Sequence, residues 1–257
     1  MAERTFVSAT SGPVVLGLSL PVGHVHVHVG TQFGKARVYL ETDDSTGPAA
    51  DAVRGARTEQ NGQAFGIEVP EMPGNVMTQS VRGHRVVQSM GTVYGSVTGV
   101  SIVNGRVISG SSQGMATVSP ITANVFLPAG SSLAFVTTSG DAKVFGYVDA
   151  LEFRSVSGDL HADGVQTLTA RTTSGDVVVG RATGTVTAQS VSGDIDINLY
   201  DGRQAELHTT SGDIEVKATP AASGSLGAHS VSGNVRLFGT GHLRVGADSL
   251  SGRVRRN

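Results

Sequence analysis

Leu168-Thr169-Ala170-Arg171-Thr172-Thr173-Ser174-Gly175-Asp176-Val177-Val178-Val179 decides the fold. Leu168, Ala170 and Thr172 share one face of a strand, and Thr169, Arg171 and Thr173 the other. After Ser174-Gly175-Asp176 the apolar face resumes at Val177 and Val179, so the alternation slips phase at the Ser-Gly-Asp step. A bend or bulge explains the slip, with glycine expected there for a positive φ that other residues resist. Leu151/Phe153 then Leu160/Ala162, and Leu207/Thr209 then Ile214/Val216, keep the same register around their own steps.

The step recurs. Gly140, Gly158, Gly175, Gly193, Gly212, Gly233 and Gly252 each follow a serine, at intervals of 18, 17, 18, 19, 21 and 19 residues. Asp141, Asp159, Asp176, Asp194 and Asp213 follow the first five, Asn234 the sixth and Arg253 the last. A period near twenty residues marks one supersecondary unit stacked on copies of itself. The predicted fold is therefore all-β: a β-solenoid, or β-helix-like repeat array, with an irregular N-terminal β region. The pairs before Ser-Gly alternate between Thr-Thr (137–138, 172–173, 209–210) and Ser-Val (155–156, 190–191, 230–231). Two periods stay open: a coil of about 18 residues with one corner, or one of about 36 with two.

Composition agrees. The 257 residues include 35 glycines and no cysteine or tryptophan, and aromatics reach only 5%, so the core must be thin. The formal charge of -2 argues against a nucleic-acid footprint. Without cysteine there is no disulfide framework, thiolate metal site or thiol nucleophile. No apolar run is long enough for a membrane span. The opening Met1-Ala2-Glu3-Arg4-Thr5 has no signal-peptide pattern, and the expectation is a protein cytoplasmic as synthesised, with virion or cell surface as open destinations.

Three regions are expected. Residues 1–75 form an N-terminal β region that can cap the array, with strands at 14–20, 24–29, 35–40 and 65–69 and a short helix near 49–57. Residues 76–115 are a Gly/Val/Ser-rich bridge; glycine every four residues from Gly91 limits its strands to three or four residues and leaves it a candidate for self-association. Residues 116–257 are the repeat array, with Arg253, Arg255 and Arg256 as charges that blunt its end.

Val125-Phe126-Leu127-Pro128-Ala129-Gly130, Leu133 and the Thr-Thr-Ser-Gly-Asp and Ser-Val-Ser-Gly-Asp series resemble the bacterial "putative adhesin" family, β-strand repeat proteins catalogued as a domain of unknown function. Leu20-Pro21-Val22-Gly23-His24 and its alternating valines look like that family's opening strand. The likeness covers roughly residues 1–70 and 120–257. It implies a right-handed β-solenoid-like fold without established catalytic residues, and it brings no ligand.

The sharpest chemical motif is His24-Val25-His26-Val27-His28, three imidazoles on one strand face at ~6.6–6.8 Å intervals. Two neighbours can ligate zinc or iron; the alternative is a solvated polar face over buried valines. The corner aspartates read as turn residues bonding their own turn backbone rather than as a calcium ladder. Asp149/Glu152 and Asp194/Asp196 are close carboxylates with no nucleophile motif beside them. No catalytic residue and no cofactor is assigned. The expectation is a non-catalytic, adhesin-like scaffold whose polar Thr/Ser/Arg surface binds glycans or proteins, as a homo-oligomer. A bacteriophage tail or fibre component and a β-helix carbohydrate-active enzyme are the alternatives.

Overall fold

The computed structural model describes residues 1–72, 76–82, 85–90, 100–103, 106–109 and 116–257. Two stacks of strands enclose one continuous buried cluster. The first face runs, all parallel, through Ala64–Glu68, Val15–Ser19, Ser132–Val136, the second halves of Ser139–Arg154, Leu160–Arg171 and Val177–Ser190, then Gln204–Thr209, Ser225–Ser230 and Arg244–Ser249. The second face runs parallel from Ile121–Pro128 through Val22–Gly30 and the first halves of those three long strands. It ends with Ile195–Tyr200, Ile214–Ala218, Val235–Phe238 and Val254–Arg256. The sheet stays open, as expected of a solenoid.

Each coil therefore holds one strand of each face and one Ser-Gly corner, which resolves the period in favour of about 18 residues. Adjacent coils set Thr against Val beside the corner: the Thr138 carbonyl accepts from Ser157 N–H, that of Val156 from Ser174 N–H and that of Thr173 from Ser192 N–H. Alternation places Leu168, Ala170, Val177, Val179, Leu207, Ile214 and Val216 inside, all buried. Burying such small aliphatic side chains contributes ~25 cal/mol per Å², and coils repeating every ~18 residues do so without needing large aromatics. The exceptions are Phe135 and Phe153, 5.9 Å apart near the start of the stack, and Tyr200 further along it.

The N-terminal residues are woven into both faces rather than set apart from them. Val15–Ser19 lies between Ala64–Glu68 and Ser132–Val136, and Val22–Gly30 lies between Ile121–Pro128 and Ser139–Arg154. Here the pairing turns antiparallel: Arg57–Asn61 runs back along Ala64–Glu68, Arg37–Thr42 along Ile121–Pro128, and Ala2–Val7 along Arg37–Thr42. Helix Pro48–Gly55, with Pro48 in its first turn, buries Ala49, Ala50, Ala52 and Val53 against this end.

Between the two parts, Val76–Arg82 and Arg85–Met90 form a hairpin that Ala116–Val118 joins in parallel, and Val100–Val103 pairs with Arg106–Ser109. Val76–Arg82 has seven residues and Arg85–Met90 six, longer than the expected rungs because the glycine period begins only at Gly91. The glycine-spaced stretch 91–99 lies outside the described residues, and with it the expectation of self-association there.

Candidate functional site

The Ser-Gly corner is built from two hydrogen-bonded columns. In the first, a hydroxyl three residues before each of the last four glycines bridges two coils. Ser190 Oγ accepts from Gly193 N–H (2.9 Å) and donates to the Gly175 carbonyl of the preceding coil (3.3 Å). Thr209 does the same between Gly212 and Gly193, Ser230 between Gly233 and Gly212, and Ser249 between Gly252 and Gly233. Thr and Ser are equivalent here because only the hydroxyl is used. The hydroxyls of Ser155 and Thr172 occupy the same place but have no partner.

The glycines correct one expectation. None of the seven corner glycines has a positive φ. What excludes a side chain is the neighbouring coil: a Cβ on Gly193 would lie 1.9 Å from the Gly175 carbonyl oxygen, and one on Gly212 2.0 Å from that of Gly193. Close coil stacking, not backbone conformation, requires glycine.

The aspartates correct a second. Each carboxylate accepts from the next coil's turn, not its own. Asp159 N–H donates to Asp141 Oδ1 (3.1 Å), Asp176 N–H to Asp159 (2.9 Å), Asp194 N–H to Asp176 (2.8 Å) and Asp213 N–H to Asp194 (2.7 Å). Asn234 N–H donates to Asp213 Oδ1 and Arg253 N–H to Asn234 Oδ1, so an amide serves as well as a carboxylate. Burial, together with Asp141 and Asp176, pushes the Asp159 carboxyl up against the pull of the Asp176 N–H. Asp213 goes down: burial opposes this, but the Asn234 donors and the Arg236 guanidinium, 3.0 Å away, outweigh it.

His24, His26 and His28 do project on one face, but their surroundings differ. His24 Nδ1 lies 3.3 Å from Asp141 Oδ2, and that hydrogen bond holds the Asp141 carboxyl below its usual range. His26 stands in register between Asn124 and Lys143. His28 is stacked between Phe126 (5.3 Å) and Phe145 (4.9 Å), with interplanar angles of 16° and 14°. Among the described residues no three His, Cys, Asp or Glu side chains stand preformed as a metal group.

Beside this row lies a feature that sequence reading does not find. Phe33 and Tyr39 stand edge-on to Phe126, at 5.3 Å and 65° and at 5.7 Å and 82°. With Gln32, Lys35 and Arg37 they line a recess of about 270 Å³. The recess forms because Arg37–Thr42 pairs antiparallel with Ile121–Pro128, setting Arg37 against Phe126 and Tyr39 against Asn124. Lys35 Nζ donates to the Ala9 carbonyl, and Arg37 extends into solvent. Three rings and two cations thus share one small concavity. A larger trough of about 800 Å³ on the first face is floored by Gly17, Gly66 and Ala134 and rimmed by Arg57, Glu59 and Glu68, with no ring. Between that trough and the last coils, Thr167/Thr185 and Thr169/Thr187 pair in register as a flat polar patch.

No curated protein sequence matches the chain significantly. Among solved structures it is similar to a "putative adhesin" from Bacteroides fragilis NCTC 9343, 13% identical with a TM-score of 0.55, over 99% of this chain and 97% of that one. A second "putative adhesin", from Parabacteroides distasonis ATCC 8503, is 12% identical with a TM-score of 0.50, over 99% and 97%. At these identities the likeness is one of fold. Residues 94–248 match the family model described as Toastrack DUF4097, and the chain belongs to that family.

Proposed function

We propose that this protein is a non-catalytic binding scaffold whose ligand is an acidic glycan, held at the recess of Phe33, Tyr39 and Phe126. The observation that carries this reading is the coincidence of ring walls and a cationic rim in that one concavity. Aromatic walls favour the apolar C–H face of a sugar ring, and Arg37 offers a fork for a carboxylate. The recess is small beside the ~300–1,000 Å³ clefts that enclose drug-sized ligands, which suits one terminal sugar rather than a buried chain. The trough on the first face is larger but has no ring to stack against a sugar. The names of the two similar structures agree with a binding role, and no reaction is proposed.

Calorimetric titration with an oligogalacturonide and with its neutral, methyl-esterified counterpart tests this. Saturable binding of the acidic oligosaccharide, weakened at least tenfold by Tyr39→Ala and by Arg37→Gln with the melting temperature kept, is expected. Equal binding of both oligosaccharides, no binding of either, or binding that ignores Tyr39→Ala would overturn the reading.

A further inference from the structure

Aligned on their corner glycines, His208, His229 and Asp248 all stand four residues before Gly212, Gly233 and Gly252. The parallel register accordingly sets them side by side: His208 against His229, and His229 against Asp248. The two imidazoles stack at 5.0 Å with an interplanar angle of 14°. Glu206 joins them from two residues before His208. Its Oε1 lies 2.8 Å from His208 Nε2 and 3.7 Å from His229 Nε2, so both Nε2 atoms face one carboxylate oxygen.

Glu206 reaches the neighbouring strand because of Gly227. A Cβ at residue 227 would lie 2.7 Å from Glu206 Oε2 and 3.0 Å from Oε1, so the carboxylate lies where that side chain would be. On its other side, His229 Nδ1 lies 2.8 Å from Asp248 Oδ2. His229 thus has a carboxylate oxygen beside each ring nitrogen, Asp248 Oδ2 at Nδ1 and Glu206 Oε1 at Nε2. A carboxylate on Nδ1 that leaves Nε2 free is how metal-binding histidines are oriented. Along this row the next residue is Gln189; the cations Arg171 and Arg154 lie beyond it. The group opens on a concavity of about 470 Å³ that His208, His229 and Asp248 help to line, and all four side chains are partly exposed.

We propose that His208 Nε2, His229 Nε2 and the Glu206 carboxylate bind a divalent first-row transition metal such as Zn²⁺, with Asp248 as the residue that positions His229. Imidazole and carboxylate donors suit that class of ion, which takes Zn–N distances near ~2.0–2.1 Å. As they stand these side chains, like the histidines at 24–28, do not form a group that holds a metal; the site requires the exposed rings to rotate about the point now held by Glu206 Oε1. Solvent can supply the remaining position.

Calorimetric titration of the chelator-treated full chain with Zn²⁺ tests the proposal. One ion per chain is expected. His208→Gln and His229→Gln should each weaken binding at least tenfold. Gly227→Ala, which displaces Glu206 by touching only its flexible end, should also weaken it. Asp248→Asn keeps every ligand and should weaken it by roughly 10–100-fold. His26→Gln should leave it unchanged. A readout on the unsubstituted protein keeps the test independent of variant folding: the Nε2 resonances of His208 and His229 should shift on adding Zn²⁺ at neutral pH. Nitrogen spectra showing both rings doubly protonated and indifferent to Zn²⁺ would overturn the proposal. So would zinc binding that survives the double substitution at 208 and 229, or that is lost with His26→Gln.

Discussion

The two corners of each coil solve the same turning problem in different ways. Between the register-matched positions Arg154, Arg171, Gln189, His208, His229 and Asp248 on the first face and Leu160, Val177, Ile195, Ile214, Val235 and Val254 on the second, the Ser-Gly corner has five residues every time: 155–159, 172–176, 190–194, 209–213, 230–234 and 249–253. The opposite corner spans 145–149, 163–166, 180–184, 198–203, 217–224 and 238–243, and so varies from four residues to eight. All of the irregularity in the repeat period arises there. The constant corner carries the Asp/Asn ladder across every coil boundary and the hydroxyl bridges across the last four, and an added residue in 190–194 would break both. The variable corner is held by local solutions: Gly224 at φ +82° and Gly239 at φ +67° turn the chain, and Asp201 binds Arg181 and Thr219. Tyr200 is buried there with no partner for its hydroxyl, and burial pushes its pKa up to about 12. Length is free to change where nothing repeats.

The largest expected effect is at the constant corner's glycine. Gly193→Val would drive a side chain into the Gly175 carbonyl and separate two coils, so a loss of more than about 3 kcal/mol is expected in denaturant melts. An unchanged midpoint would mean that the coils do not stack this closely. Next come the hydroxyls. Ser190→Ala removes a buried bridge between Gly193 N–H and the Gly175 carbonyl, and should cost about 1–3 kcal/mol. Thr172→Val, at the same repeat position but with an unpartnered hydroxyl, should be neutral or stabilising. Equal losses in the two would show that the column is not what holds the corner.

The smallest effects are electrostatic. Asp213 is depressed in the folded state, so its contribution is present above the ordinary carboxylate value and lost as pH falls through its lower folded value. Asp159 is raised, so its ionised form opposes folding above its folded value, and acidification relieves this. At neutral pH, Asp213→Asn should lower stability and Asp159→Asn should leave it equal or higher. Each change should be under about 1 kcal/mol, because the corner is open to solvent. Thermal melts from pH 7 to pH 3 read both signs; a shared sign would contradict the ladder as described.

This contrast also explains what the sequence could reveal. The constant corner was legible because its length never changes, so Ser, Gly and Asp recur in phase with the buried face. Its reason was not: whether glycine serves φ or close approach depends on the neighbouring coil's carbonyl, which no single repeat contains. The carboxylates' partners were missed for the same cause, since they lie one coil away. The histidine row at 24–28 was visible as a strand face, yet what stands beside each ring depends on strands 122–126 and 141–145. The recess of Phe33, Tyr39 and Phe126 had no signal at all, because it joins segments some ninety residues apart through an antiparallel register. His208, His229 and Asp248 were readable in principle, since they share one repeat phase.

A matched pair of insertions tests the central claim that each coil has one fixed corner and one free one. One glycine is placed after Ser192 in the constant corner, and one after Ala221 in the longest variable corner. Their unfolding free energies are then measured under the same conditions. The first should lose more than about 3 kcal/mol, because the insertion breaks both columns and turns the following strand's apolar face outward. The second should stay within about 0.5 kcal/mol of the unaltered chain. Equal losses at the two positions would contradict the account.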